Sequence, residues 1–527
     1  MENQATYDYI IIGSGFGGSV SALRLSEKGY KVAVLEKGLR WNPKDFPKTS
    51  RNLRKYLWMP GLRFYGIQVL TWMKHVFILH GAGVGGGSLV YANNLLIPEK
   101  KVFDKPEWGQ TDFYNVLLPF YQIAQKMLGA VKSPSYGKAD GLLAEIGKEL
   151  TGTDTFHLNE IGVFFGKEPG KTYPDPFFEG KGPERTSCTF CSACMVGCRD
   201  GGKNTLDKNY LYFAEKNGVE IFAETVVEKV EETEYGYKIT TKKLKSFGLK
   251  KNVYYAKGVV FSGGVMGTVK LLLKCKKNGY LPRLSEKIGN YIRTNAEALI
   301  GVMANDKKAM YSDQTAITSG IYPDAETHME IVRYNKGSNT IGLLATILVE
   351  GGGKYPRWMN FFKQAFLHPL TFLRTMLPVN FAARSSVLLV MRTVEDIYLN
   401  FTYKRKWWLL GKNRMNSVIP KGFNKISAHI PLASLVAKKL SEKMNATPMS
   451  LYTEALFDIP TTAHILGGAR MGADATEGVI DFNGKVFGYE NMYVADGSVV
   501  PANLGVNPSL TITALSEYIM SRIPDKK

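Results

Sequence analysis

The chain is poor in cysteine and histidine and lacks long apolar runs. Its 527 residues include five cysteines and seven histidines. Five is an odd number, and so few thiols do not make the disulfide framework of a small secreted domain. A reducing compartment is expected, and with it a cytoplasmic location, at most peripheral at the inner membrane surface. No uninterrupted apolar stretch reaches the ~18 residues that a transmembrane helix requires. No basic segment followed by an apolar one precedes the strand-like YDYIII at Tyr7, so no secretory signal is expected. Acidic residues are also scarce by comparison. Lys and Arg number 67 against 47 Asp and Glu, a formal net charge of +20. Such an excess suits either a solvated basic surface or one that settles on anionic lipid or an acidic partner. The absence of helix-turn-helix, zinc-finger and RNA-binding signatures sets nucleic acid aside. Internal repeats and low-complexity stretches are absent too. What is left is a chain with 45% hydrophobic residues, long enough for two joined domains.

Glycine, by contrast, is plentiful and clustered. The segment YDYIIIGSGFGGSVSALRLSEKGYKVAVLEKG reads as strand, glycine turn, helix and strand. Gly13, Gly15 and Gly18 fit G-x-G-x-x-G between the β-branched Ile10–Ile12 run and a helix bearing Ala22, Leu23 and Leu25, which Gly29 ends. In that setting the glycines permit a tight turn, close approach of a pyrophosphate and close helix–strand packing, while the helix N-terminus offers unpaired N–H groups. Glu36 closes the second strand about 20 residues on, where an acid bonds a ribose hydroxyl and disfavours a 2′-phosphate. These residues predict dinucleotide binding and leave FAD and NAD both open. A second glycine loop, HGAGVGGGSLVYANN, lets backbone approach a flat ring or a phosphate where a Cβ would clash. A third strand–turn–helix segment follows at GVVFSGGVMGTVKLLL, and the chain ends with TAHILGGARMG and NMYVADGSVVPANLGVNPSLTITAL.

In these segments together, and along nearly its whole length, the chain resembles the glucose-methanol-choline (GMC) flavoprotein oxidoreductases. Within them it is most similar to the cholesterol oxidase group of non-secreted, mycobacterial type. The resemblance implies an α/β fold with α+β elements: a Rossmann-like FAD-binding domain, discontinuous in sequence, and a mixed-sheet substrate domain. It also implies FAD rather than NAD. By motif, His464 of H-x-L-G-G and Asn507 of G-V-N-P match the family's active-site pair beside the flavin. Asp496 and Gly497 match the stretch that contacts the pyrophosphate and ribityl chain, and Gly85, Gly86 and Ser88 match the loop against the flavin. Oxidising a secondary alcohol removes a hydroxyl proton and a hydride. An imidazole with a pKa near ~6.5 can hold the hydroxyl and accept its proton, and an amide beside it can bond the oxygen. Isomerising members add a glutamate base. The corresponding region here reads HMEIVRYNKGSNTIG, in which Glu330 is the nearest acid and Asn339 can fill the position itself. His80 lies at a spacing where some members link a histidine covalently to the flavin. The plainer reading is a histidine contributed by an apolar strand.

Cys188, Cys191, Cys194 and Cys198 fall in CTFCSACMVGC, a C-x₂-C-x₂-C-x₃-C spacing. Short loops of this kind let thiolates converge on an iron–sulfur cluster. A zinc site and unliganded thiols are the other readings, although structural zinc sites usually split their thiolates into two separated pairs. Some bacterial sugar dehydrogenases of the family carry such a cluster, through which electrons pass to a carrier instead of O₂. The expected division is an FAD domain of residues 1–104, 199–300 and 455–527, a cap of 105–198 holding the cysteines, and a substrate domain of 301–454. Within the last, YPRWMNFFKQAFLHPLTFLRTMLPVNF and YKRKWWLLGKNRM mix aromatics with basic residues, as core helices do or as a lipid-facing lid does. The expected function is FAD-dependent oxidation of a sterol 3β-hydroxyl or a similar lipophilic secondary alcohol. A cluster-linked dehydrogenase serving a quinone or carrier, and a lipid-binding flavoprotein without turnover, stand beside it.

Overall fold

The computed structural model describes residues 6–109, 111–245, 251–377, 379–395, 397–405 and 413–527. Residues 406–412 of the basic–aromatic YKRKWWLLGKNRM stretch, Trp407 and Trp408 among them, lie outside the described residues.

The wholly buried strand Tyr7–Ile12 pairs in parallel with Val32–Leu35 on one side and with Lys251–Phe261 on the other. Strands buried on both faces read as continuous apolar runs, which is why YDYIII and VAVL show no alternation. Glu220–Phe222 extends the parallel part of this seven-stranded sheet, and Met492–Val494 pairs with the far end of Lys251–Phe261. The hairpin Thr225–Thr233 and Gly236–Lys243 adds antiparallel strands at the other edge. Helix Phe16–Glu27 covers one face beside the C-terminal helix Ser509–Ser521.

A second seven-stranded sheet runs Ala345–Ile347, Ala446–Leu451, Ala298–Ala304, Ser385–Arg392, Thr327–Val332, Ser319–Ile321 and His157–Leu158. Its six pairings are all antiparallel; among the described strands, parallel pairs occur in the first sheet and in a three-stranded sheet holding Phe77–Gly81. Residues 105–198, expected to form a cap, divide between the two cores. Helix Phe113–Leu128 packs on the C-terminal helix, and Tyr121 shares a 2.8 Å hydroxyl hydrogen bond with Thr511. Helix Lys138–Thr151 puts Ala139, Leu143 and Ile146 into the core of the second sheet. Among the described residues no helix is long and apolar enough to cross a membrane.

Candidate active site

A cavity of about 610 Å³ runs between the two sheets, from the first glycine turn to the strands of the second sheet. The three fingerprint glycines have separate duties. Gly13 sits at φ +105°, and a Cβ there would strike the Ser262 carbonyl after Lys251–Phe261. Gly18 lies so close to the Gly13 carbonyl that a side chain would prise the helix off the strand. Gly15 has open space on its Cβ side, bounded by the Gly86 Cα at 4.0 Å. Glu36 accepts from the Ser14 hydroxyl at 2.8 Å and from the Gly38 amide at 2.8 Å, and its carboxylate lines the cavity.

In the second glycine loop Gly86 and Gly87 form the cavity wall. Gly85 and Ser88 stand behind it. Gly85 takes φ +101°, and the buried Ser88 hydroxyl donates to the Gly85 carbonyl at 2.7 Å and accepts from the Leu206 amide at 3.2 Å. Asp496 and Gly497 reach the cavity from the turn after Met492–Val494. Burial pushes the Asp496 carboxyl above its usual range, opposed by hydrogen bonds from Ser498 and Thr268. The N-terminus of the C-terminal helix opens on the same space through Pro508 and Ser509. Glycine cradles facing two helix N-termini suit a dinucleotide pyrophosphate and the electron-rich edge of a flavin ring. The residues present therefore fit FAD.

His464 lines the cavity at the end of a short clamped segment. Thr461–Thr462 pairs with Phe77–Ile78, and Leu466 exchanges 2.9 and 2.8 Å backbone hydrogen bonds with Arg293. Gly467, the next residue, takes φ +77°, with the Tyr291 carbonyl where a side chain would go. The clamp brings Glu297 to His464: its carboxylate accepts from Nδ1 of the imidazole and, at 2.9 Å, from the Ala463 amide. With Nδ1 held, Nε2 is the nitrogen left for a ligand. Nothing in the sequence pattern signals Glu297, whose contact spans 167 residues.

Asn507 is the second expected residue, and it leads to a third. Its amide donates to Glu330 at 3.3 Å, and its oxygen accepts from Asn94 at 3.2 Å. Asn94 and Asn159 also donate to Glu330, at 2.6 and 2.8 Å. Burial drives the Glu330 carboxyl up to about 7, although its three amides and the His464 charge favour ionisation. Asn339, by contrast, stands elsewhere and accepts from the Ala382 amide at 3.1 Å. His80 is on the cavity wall in Phe77–Gly81, with Nε2 3.2 Å from the Thr71 hydroxyl. Burial and neighbouring Lys37 bring its imidazole down to about 3, so it is neutral. Beyond His464 the walls are apolar: Leu299, Ile317, Val332, Leu389, Met449 and Phe381.

The cysteines require a correction. Among the described residues no three His, Cys, Asp or Glu side chains are placed to hold a metal ion. Cys194 is buried, Cys191 is exposed, and Cys188 and Cys198 lie between. With no metal bound, burial raises the Cys188 thiol and pushes Cys194 up to about 11, so both are protonated at neutral pH. The loop instead packs on the glycine turn. Buried Lys203 ties the two together, donating to the carbonyls of Leu89 at 3.1 Å, Tyr91 at 2.9 Å and Cys194 at 2.7 Å. Met195 of this loop lines the cavity.

The class that this geometry defines is an FAD-dependent alcohol oxidoreductase, and comparison with known proteins agrees. Family profiles described as GMC oxidoreductase match residues 182–276 and 428–516, and one described as an NAD(P)-binding Rossmann-like domain matches residues 11–41. A cholesterol oxidase of Acinetobacter baumannii is 43% identical over 99% of this chain and 95% of its own length. A cholesterol oxidase of Mycobacterium tuberculosis is 43% identical over 99% and 91%. Among solved structures, pyridoxine 4-oxidase from Mesorbium loti superposes with a TM-score of 0.60 at 14% identity, covering 98% of both chains. The chain belongs to the GMC oxidoreductase family.

Two outcomes follow from the site. Gly15→Val fills open space in the cradle and is expected to abolish FAD retention; a variant with stoichiometric FAD would remove this loop from the site. His464→Ala is expected to slow single-turnover flavin reduction by alcohol on the order of 10²-fold or more, the scale of losing a positioned acid/base. FAD content should change little, and near-normal reduction would make His464 structural.

Proposed function

We propose that the chain oxidises the 3β-hydroxyl of cholesterol or a similar sterol, or another bulky lipophilic secondary alcohol, to the ketone. The observation that carries this reading is the apolar chamber that opens directly beyond His464, and the two cholesterol oxidases at 43% identity support it. When bound, FAD supplies the hydride acceptor at its N5. Gly15, Gly86, Gly87, Glu36, Asp496 and Gly497 are the residues assigned to hold it. His464 Nε2 bonds the substrate hydroxyl and takes its proton, and the Glu297 carboxylate steadies the imidazolium formed. Asn507 fixes the oxygen as it becomes a carbonyl. Glu330 is the carboxylate assigned to double-bond migration in the product, the proton movement that isomerising relatives add. His80 stays non-covalent, its Nε2 committed to Thr71. The acceptor is O₂, and the cysteine loop acts as a packed wall rather than an electron exit. The location is cytoplasmic.

Substrate entry is from a membrane surface. Helices Arg357–Leu367 and Pro369–Met376 expose Trp358, Phe362, Phe366, Leu370 and Leu373, with Phe366 85% and Leu370 72% exposed. The second helix packs on the turn Asn339–Leu344, whose Ile341 and Leu344 line the cavity. Exposed Lys363 and Arg374 stand among these side chains, the pattern of an interfacial helix on anionic lipid.

Anaerobic mixing with cholesterol is expected to bleach the flavin, and turnover in air to yield peroxide matching the ketone. An unbleached flavin defeats the substrate assignment. Stoichiometric iron with acid-labile sulfide in anaerobically purified protein would instead assign a carrier as acceptor. For the isomerisation the sign is fixed, because Glu330 must be ionised to take a proton. Conversion of the β,γ-unsaturated ketone to the conjugated enone should rise with pH through about 7 and level off above it. Glu330→Gln should remove the step and leave alcohol oxidation measurable. Phe366→Ser with Leu370→Ser should weaken sedimentation with phosphatidylglycerol vesicles while sparing oxidation of detergent-solubilised sterol.

A further inference from the structure

Glu330 sits directly behind the cavity wall. It is fully buried, and two of the amides that hold it, Asn94 and Asn507, form the cavity wall in front of it. Behind it the second sheet carries two histidines. His328 lies two residues away on the same strand, so its side chain points to the same face. Its Nδ1 is 3.9 Å from the Glu330 carboxylate. His157, on the edge strand, puts Nε2 3.1 Å from His328 Nε2. Gly320 lies on the strand between them, and a Cβ there would collide with His328 and crowd His157, so the missing side chain is what lets the rings meet. The rings are stacked at 5.1 Å, and Tyr322 stacks on both, at 5.2 and 4.6 Å.

The hydrogen bonds fix the tautomers. The Thr155 carbonyl can only accept, so His157 Nδ1, 3.1 Å from it, bears the proton. Neutral His157 then bares Nε2, which accepts from His328 Nε2–H. Neutral His328 therefore bares Nδ1, the buried nitrogen that faces Glu330 with no hydrogen-bond partner. His328 is 1% exposed, and His157 is half-buried and reaches the surface. The other titratable groups acting on this column are Tyr322, Glu99 through Tyr322, and His464 beyond Asn507.

From this column we propose that His328 and His157 form a proton relay that connects Glu330 with solvent. This rests on the assignment of Glu330 to proton movement. In the outward direction His328 Nδ1 closes the 3.9 Å gap to the carboxyl, and the Glu330 O–H bond breaks as that nitrogen gains the proton. His328 Nε2–H passes its proton to His157 Nε2, and His157 Nδ1–H leaves the Thr155 carbonyl and gives its own proton to water. One proton leaves the carboxyl, one reaches solvent, and both rings exchange tautomers. The reverse sequence recharges Glu330. Burial holds both imidazoles below their usual range, so the pair passes protons without storing charge.

The test reads the carboxyl itself in the FAD-loaded protein, with no substrate present. A pH jump from 6 to 8 is followed by infrared through the protonated-carboxyl band, assigned to Glu330 by its loss in Glu330→Gln. In the native protein the band should decay within the mixing time. His328→Phe and, independently, His157→Gln should slow the decay on the order of 10²-fold, the scale of losing a positioned proton carrier. Imidazole added to His157→Ala should restore speed, whereas a merely structural histidine would change the amplitude or the FAD content and leave no lag. Native-like decay in both variants, or no Glu330 band at pH 6, overturns the relay. A relay that passes this test in a protein that oxidises no sterol would stand while the substrate assignment falls.

Discussion

The arrangement depends on a contact between two backbones that have no side chains to separate them. Gly15 and Gly86 approach so closely that a Cβ on Gly86 would lie 2.6 Å from the Gly15 Cα. One glycine belongs to the turn that starts the first helix, the other to the loop after the strand bearing His80. Their contact sets the distance between the helix N-terminus and the flavin wall. The Ser88 hydroxyl and the Lys203 ammonium then hold the second loop from behind, and through Lys203 the cysteine loop is fixed too. A side chain at Gly86 would therefore shift the cradle, the loop and the Met195 wall together.

What was legible in the sequence is what one short segment can specify. The Gly13–Gly15–Gly18 turn, the strand ending at Glu36 and the H-x-L-G-G and G-V-N-P motifs each need only local spacing, and all of them meet at one cavity. The missing parts are long-range. Glu297 reaches His464 across 167 residues, and Asn94 reaches Glu330 across 236. Neither pair shares a periodicity or a motif; Glu297 meets His464 through backbone pairing of Arg293 with Leu466 and of Phe77–Ile78 with Thr461–Thr462, and Asn94 is held by its own bridge to Ile161. Glu330 was visible as an acid in the right region, but the choice between it and Asn339 required the sheet register that turns it toward Asn507. Ser88 was legible as a loop residue, not as the brace behind the wall.

The cysteine loop shows the limit of spacing as evidence. Three or four thiols close in sequence converge only if the backbone between them turns inward, and here Phe190 and Ser192 take φ +55° and +57° in a turn that sends Cys191 outward and Cys194 inward. Burial then favours the neutral thiol at Cys194. The turn is still tightly built, and its product is position: Met195 faces the cavity beside the glycine turn.

Three amides around one buried carboxyl have an energetic consequence. A buried carboxylate stripped of water is costly unless hydrogen-bonded, and Asn94, Asn159 and Asn507 supply donors without supplying charge. Burial raises the pKa and the amides lower it, so the group is left near neutrality, where protonated and ionised forms differ little in free energy. A charged partner would have locked it in one form. His464 is treated differently, with the carboxylate of Glu297 accepting from its Nδ1. The site thus sets an imidazole held by a carboxylate near a carboxyl balanced between its two forms. The two are separated by Asn507, which carries no titratable proton of its own.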